Sequence, residues 1–219
     1  MEIKGELFST DMVKAFLENR KIRTSRPIKP QPKYIESSGR WSWAIPKAKV
    51  HKGCCTEVFS ASREWWNYLT PDQMPYQSGD IMYGRETWGI GGFDEDKSTM
   101  FVQYKADDAT ASIVLPSDKF QKYYEGMTGA EPDWRPSIHM PREAARLFYR
   151  ITDAKAQNIA DMTEQDAVED GFKIRPQFSA LVQFKHFWRQ QYGTDANWMW
   201  VYYLKKISKE EALKDETNL

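Results

Sequence analysis

The longest stretch of this 219-residue chain that keeps a helical period is short. It covers residues 178–192, with Leu181, Phe184, Trp188 and Tyr192 on one stripe and Gly193 as its stop. Around it, glycine- and proline-rich turns cut the sequence into many brief apolar runs, a pattern of short strands with interspersed helices that fits an α+β domain. Strands are expected at 3–8, 81–88, 100–106, 146–152 and 198–207, with Gly89, Gly91 and Gly92 ending the second of these. A helix is expected after Ser9 or Thr10, burying Val13, Phe16 and Leu17 and stopping at Asn19, which tolerates the left-handed backbone. Pro141 can open a short helix at 142–145, and Thr163 with Asp166 three residues later predicts a capped helix ending at Gly171. Residues 131–141 read as a proline-rich loop. Residues 33–77 read as an insertion with a hairpin arm near Gly39 and Trp41 and a helical turn at 62–69. Residues 208–219 read as a charged, solvated helical tail after a single domain spanning 1–207.

Composition narrows the class. Hydrophobic residues make up 41% and charged residues 28%, ordinary values for a globular protein. No apolar run approaches the roughly 18 residues that span a bilayer, so no membrane partner and a cytoplasmic setting are expected. The two cysteines, Cys54 and Cys55, are adjacent, which excludes a disulfide framework. No CxxC or HxxxH spacing joins them to His51, His139 or His186, so neither a metal nor another cofactor is expected. Formal net charge is zero, yet residues 1–53 carry +7 and the remainder −7. A basic segment on an otherwise acidic chain suits a local anion site better than a long polyanion footprint.

Three places bring chemically capable residues together. In the first, Lys21, Thr24 and Arg26 follow an expected helix end. Thr24 and Arg26 share a face if the path is extended, and a lysine beside a hydroxyl can act as its base when burial lowers the lysine pKa. In the second, Arg85, Glu86, Thr87 and Trp88 end a strand, where a carboxylate can relay protons or hold a ligand amino group. In the third, Trp134, Arg135 and His139 sit in a proline-framed loop that ends in Arg142. Each group also has a purely structural reading. Lys21 and Arg26 can pair with Glu86, Thr24 can be a β-former, His139 can be a hydrogen-bonded structural histidine, and Trp88 and Trp134 can be core.

The spacing Lys21-x-x-Thr24-x-Arg26 resembles the G-x-K-x-x-T-x-R signature of the ASCH domain family, with Asn19 in place of the leading glycine. The turn Ser78-Gly79-Asp80 leading to Arg85-Glu86-Thr87-Trp88 is similar to that family's second block. The run from Arg135 to Arg142 and the ending from Asn197 to Tyr202 are similar to its phage and prophage members. The resemblance implies a PUA-like β pseudo-barrel with flanking helices and an inserted arm. It implies RNA or a modified nucleoside as partner, bound in a cleft. Some small members of the family remove the acetyl group from N4-acetylcytidine, while others are nucleases, nucleic-acid binders or phage morphogenesis proteins. Carried over by motif, Lys21 is the base, Thr24 the nucleophile and Glu86 the proton relay, with Arg26, Arg85, Trp88, Trp134, Arg135 and His139 around the ligand. Lys21, Thr24, Arg26 and Glu86 are then expected to converge on one concavity.

Overall fold

The computed structural model describes residues 2–29, 31, 33–35, 40–42, 74–129 and 132–217. The arm expected at 33–77 therefore falls mostly outside the described residues, as do Cys54, Cys55 and the helical turn at 62–69. The architecture is α+β. In chain order the elements are β1 (Ile3–Leu7), α1 (Thr10–Leu17), β2 (Arg23–Pro27), β3 (Lys33–Ile35), β4 (Arg40–Ser42), β5 (Ile81–Arg85), β6 (Trp88–Asp94), β7 (Thr99–Tyr104) and β8 (Thr110–Val114). They continue with α2 (Ser117–Glu125), β9 (Asp133–Arg135), β10 (Leu147–Asn158), α3 (Glu164–Glu169), α4 (Ala180–Tyr192), β11 (Trp198–Ile207) and α5 (Lys209–Thr217). Strands β3 and β4 pair antiparallel, Tyr34 opposite Trp41. No helix among the described residues is long and apolar enough to cross a membrane.

The chain forms two compact units. The first draws on residues 1–20, 79–150 and 205–219, the second on 21–78 and 151–204. In the first unit β1 runs parallel to β5, and β5 pairs antiparallel with the start of β10. A second sheet has the order β8-β7-β6-β9. Its core gathers Trp88, Ile90, Met100, Val102, Ile113, Leu115 and Phe120, the last from α2. In the second unit β2 pairs antiparallel with β11, with Thr24 opposite Tyr202 and Arg26 opposite Trp200. Helices α3 and α4 supply Ala167, Ala180, Phe184 and Trp188 to a core shared with Met199 and Val201.

Several elements follow directly from local chemistry. Thr163 and Asp166 form the reciprocal capping box of α3, and Gly171 turns the chain out with φ +103°. Asn19 takes φ +54° just past α1. In α4 the predicted Phe184 and Trp188 are buried, while the helix starts two residues later than expected because Ser179 caps it.

Other expectations are corrected. Gly89, Gly91 and Gly92 lie inside β6 and do not end it. The strand break falls earlier, between β5 and β6. The glycines serve contact and curvature: a Cβ on Gly89 would lie 2.9 Å from Pro132 and 3.1 Å from the Trp134 ring, and Gly92 sits at the bulge with φ +147°. Part of the loop expected at 131–141 pairs with β6 as the short strand β9. The C-terminal segment is not merely a solvated tail, since Ala212 of α5 is fully buried against Ile81, Ala145, Phe148 and Ile207.

Candidate functional site

The second unit holds a polar interior built on an inverted pattern. Lys21 is 3% exposed and Arg23 is fully buried, while Ile22 between them is 46% exposed. The backbone enforces this register: the Ile22 N–H donates to the Glu169 carbonyl at 2.9 Å, and the Ile22 carbonyl accepts from the Leu204 N–H at 2.8 Å. A slip of one residue would bury the isoleucine and release both cations to water.

Two carboxylates of α3 and its C-terminal cap meet these cations. Lys21 Nζ donates to Asp170 Oδ1 at 2.6 Å and to the Asp170 carbonyl at 2.7 Å. Ser25 Oγ donates to Asp170 Oδ2 at 2.5 Å, and Arg23 Nε stands 3.5 Å from the same oxygen. Arg23 also ion-pairs with Asp166 and donates to Gln157 Oε1 at 3.1 Å. Asp166 and Asp170 are four residues apart, so one helical face presents both. Lys21, Arg23 and Ser25 thus share one set of partners, as alternate residues of an extended segment do. The next face carries Thr24 and Arg26, whose Nη1 donates to Thr24 Oγ1 at 3.2 Å and to the Ser25 carbonyl at 3.0 Å. The hydroxyl that shares a carboxylate with Lys21 is therefore that of Ser25.

Burial pushes the Lys21 ammonium below its ordinary pKa. The Asp170 carboxylate opposes that shift, and Arg26 and Arg23 add to it. Burial acts to raise Asp166, but the Thr163 N–H and the Arg23 charge outweigh it and leave that carboxyl below its usual range.

The first unit holds the remaining residues singled out in the sequence. Glu86, 1% exposed, accepts a two-pronged guanidinium contact from Arg146 at 2.8 and 2.9 Å. Arg146 also donates to both oxygens of Asp107, at 2.9 and 2.8 Å, and stacks over the Tyr104 ring at 4.0 Å. Desolvation pushes the Tyr104 hydroxyl up to about 12. Arg85 holds the proline-framed loop, donating to the carbonyls of Met140 and Ile138, and the Glu86 N–H points at Met140 Sδ at 3.2 Å. His139 is exposed in the 3₁₀ turn Ser137–His139.

Trp88 is fully buried in the core, where it packs edge-on against Tyr123, so packing is its role in this structure. Trp134 is 36% exposed; it lies against Gly89 and carries the Lys105 ammonium 4.5 Å from its ring centre. Arg135 is committed to Asp133 and the Gly126 carbonyl.

The structure thus holds Lys21, Thr24 and Arg26 in one short polar segment, with Lys21 facing Asp170 and Thr24 and Arg26 on the next face, and places Glu86 in the other unit with Arg146 and Asp107 as its partners. Sequence reasoning missed Asp170, Ser25, Arg23, Arg146 and Asp107. The pair Asp166 and Asp170, spaced for one helix face, was the readable signal. Among the described residues no group of three His, Cys, Asp or Glu side chains is arranged to hold a metal. No protein-family model, no curated protein and no solved structure matches the chain.

Proposed function

We propose that the chain is a PUA-like protein of the ASCH type, and that its Lys21–Thr24–Arg26 cluster binds a nucleobase-type ligand, free or within RNA. The inverted register at Lys21-Ile22-Arg23 carries this reading. A strand needed only for packing would turn Ile22 inward. Here four consecutive-to-alternate polar residues, Lys21, Arg23, Thr24 and Ser25, are all buried, at 3%, 0%, 0% and 5% exposure. Burying them costs stability unless every group finds a partner, and local rules are broken in this way mostly where function demands it. The collected groups match the edge of a base: ammonium and guanidinium donors for ring carbonyls, and hydroxyl and carboxylate acceptors for an exocyclic amine. Half-buried Arg26 connects the cluster to solvent. The zero net charge of the chain fits a single nucleoside better than a long phosphate track.

Two observations favour a second, hydrolytic reading: the depressed pKa of Lys21, and the Ser25 hydroxyl aimed at Asp170. In it the hydroxyl oxygen attacks the acyl carbon of an N-acylated nucleoside such as N4-acetylcytidine. Its proton passes to Asp170 or to neutral Lys21, and the amine leaves with that proton. Water then releases the acyl group.

The test is calorimetric titration of the full chain with ordinary and N4-acylated nucleosides and with a short single-stranded RNA. Acetate release is followed in parallel. We expect saturable binding of at least one base-containing ligand, weakened tenfold or more in Arg26→Gln and Thr24→Val with the melting temperature retained. In the hydrolytic reading Ser25→Ala abolishes acetate release. No binding by any member of the panel, or unchanged binding in both variants, refutes the proposal.

A further inference from the structure

Outside the cluster just described, the first unit carries a cavity of about 310 Å³. Its walls are Ser112, Ile113 and Val114 of β8, Arg142 and Glu143 of the 3₁₀ turn Arg142–Ala144, and Lys209 and Leu213 of α5. The volume is at the small end for ligand pockets.

Its charges are unevenly matched. The Glu143 carboxylate is engaged by Lys119. Lys209, half-buried, donates to the Glu143 carbonyl, and among the described residues no carboxylate lies within ion-pair distance of its ammonium. A lysine ammonium has three donors, and the Glu143 carbonyl takes one of them. Burial lowers the Lys209 pKa against the raising influence of Glu143 and Glu210, as expected of a cation that lacks a close counter-charge. Arg142 adds a guanidinium and Ser112 a hydroxyl, both suited to oxyanion oxygens. Val114 and Leu213 complete the wall with an apolar surface, while the Ile113 side chain turns to the core on the other face of β8.

From these walls we infer that this cavity is a binding site for a small organic oxyanion, a carboxylate or phosphate ester on a compact apolar body. The oxygens meet Lys209, Arg142 and Ser112, and the body lies along Val114 and Leu213. The site is independent of the nucleobase reading and shares no residue with the Lys21 cluster.

The experiment titrates the full chain with benzoate, phenyl phosphate, acetate and inorganic phosphate, using backbone amide NMR shifts to locate binding. We expect benzoate or phenyl phosphate to bind roughly tenfold tighter than acetate or inorganic phosphate, because only they cover the apolar wall. Shifts should centre on Ser112–Val114, Arg142 and Lys209. Preference for benzoate assigns a carboxylate ligand, and preference for phenyl phosphate a phosphate ester. Lys209→Gln should weaken the preferred probe about tenfold while the amide spectrum elsewhere stays native. If Lys209→Gln disturbs the fold, Ser112→Ala, at an exposed position, supplies the same comparison. Shifts scattered over the surface, no saturation by either aromatic probe, or full affinity in a folded Lys209→Gln or Ser112→Ala variant overturns the inference.

Discussion

Replacing Asp170 by asparagine tests the polar interior most directly, because the change removes a charge and leaves the shape. In the wild type, Lys21 places its ammonium 2.6 Å from Oδ1, and the side chains of the pair are 2% and 5% exposed. With so little solvent, screening offers no discount. Breaking a buried pair by neutralising one partner costs about 3–5 kcal/mol, since the remaining charge stays desolvated. Arg23 and Ser25, which also face Asp170, lose part of their partnership in the same step. For a protein of this size each kcal/mol moves the melting temperature by about 2–4 °C, so a fall of roughly 6–20 °C is expected at pH 7.

The pH dependence gives a second, sharper signature. Lys21 has a folded-state pKa below its ordinary value of 10.5. Between the folded and unfolded values, the unfolded chain binds more protons at this site, so stability rises with pH across that window. Removing the Asp170 charge removes an influence that raises the Lys21 pKa, and so widens the window downward. The difference between wild type and Asp170→Asn should therefore be greatest near pH 7 and shrink as the pH approaches 10. Thermal unfolding followed by circular dichroism between pH 7 and 10 reads both quantities. A drop under about 2 °C at pH 7, or a gap that widens with pH, would show that the pair is not what holds Lys21 inside.

Two further substitutions probe the first unit. Arg146→Met leaves the 1%-exposed Glu86 carboxylate without its guanidinium and should cost about 3–5 kcal/mol in denaturant titrations, whereas Asp107→Asn, at a side chain 36% exposed, should cost under about 1 kcal/mol; equal losses would refute the assignment of Glu86 as the buried partner. Gly89→Ala puts a methyl 2.9 Å from Pro132 and 3.1 Å from the Trp134 ring and should destabilise by about 1–3 kcal/mol with a change in tryptophan emission, while Gly91→Ala, whose nearest neighbour is 4.0 Å away, should be nearly silent in both measurements.

How far the sequence could be read tracks the range of the interactions involved. The capping box of α3, the apolar stripe of α4 and the left-handed residue after α1 depend on partners within a few positions, and all three were legible. β6 was misread because glycine breaks a strand only when nothing requires the missing side chain. Here a tryptophan 45 residues further along the chain lies on Gly89, and that contact is invisible locally. Helix α2 gave almost no signal, since Phe120 is its single buried residue. The C-terminal helix looked like a solvated tail because the residue that docks it is one alanine, Ala212, among charges.

The polar cluster shows the same dependence at the level of chemistry. Alternation alone correctly places Thr24 and Arg26 on one face of an extended segment, and the two side chains do bond. The same rule puts Lys21 with Arg23 and Ser25, yet periodicity read for hydrophobicity would have turned Ile22 inward and all three outward. What reverses the choice is Asp170, 149 residues from Lys21 along the chain, supported by Asp166 one helical turn before it. The lysine, threonine and arginine of the motif therefore do not make a polar interior by themselves. They need Asp166 of α3 and Asp170 at its C-terminal cap, which supply the counter-charges and acceptors for the buried cations. The paired carboxylates, four residues apart at the end of a capped helix, are thus what holds Lys21, Arg23 and Ser25 inside.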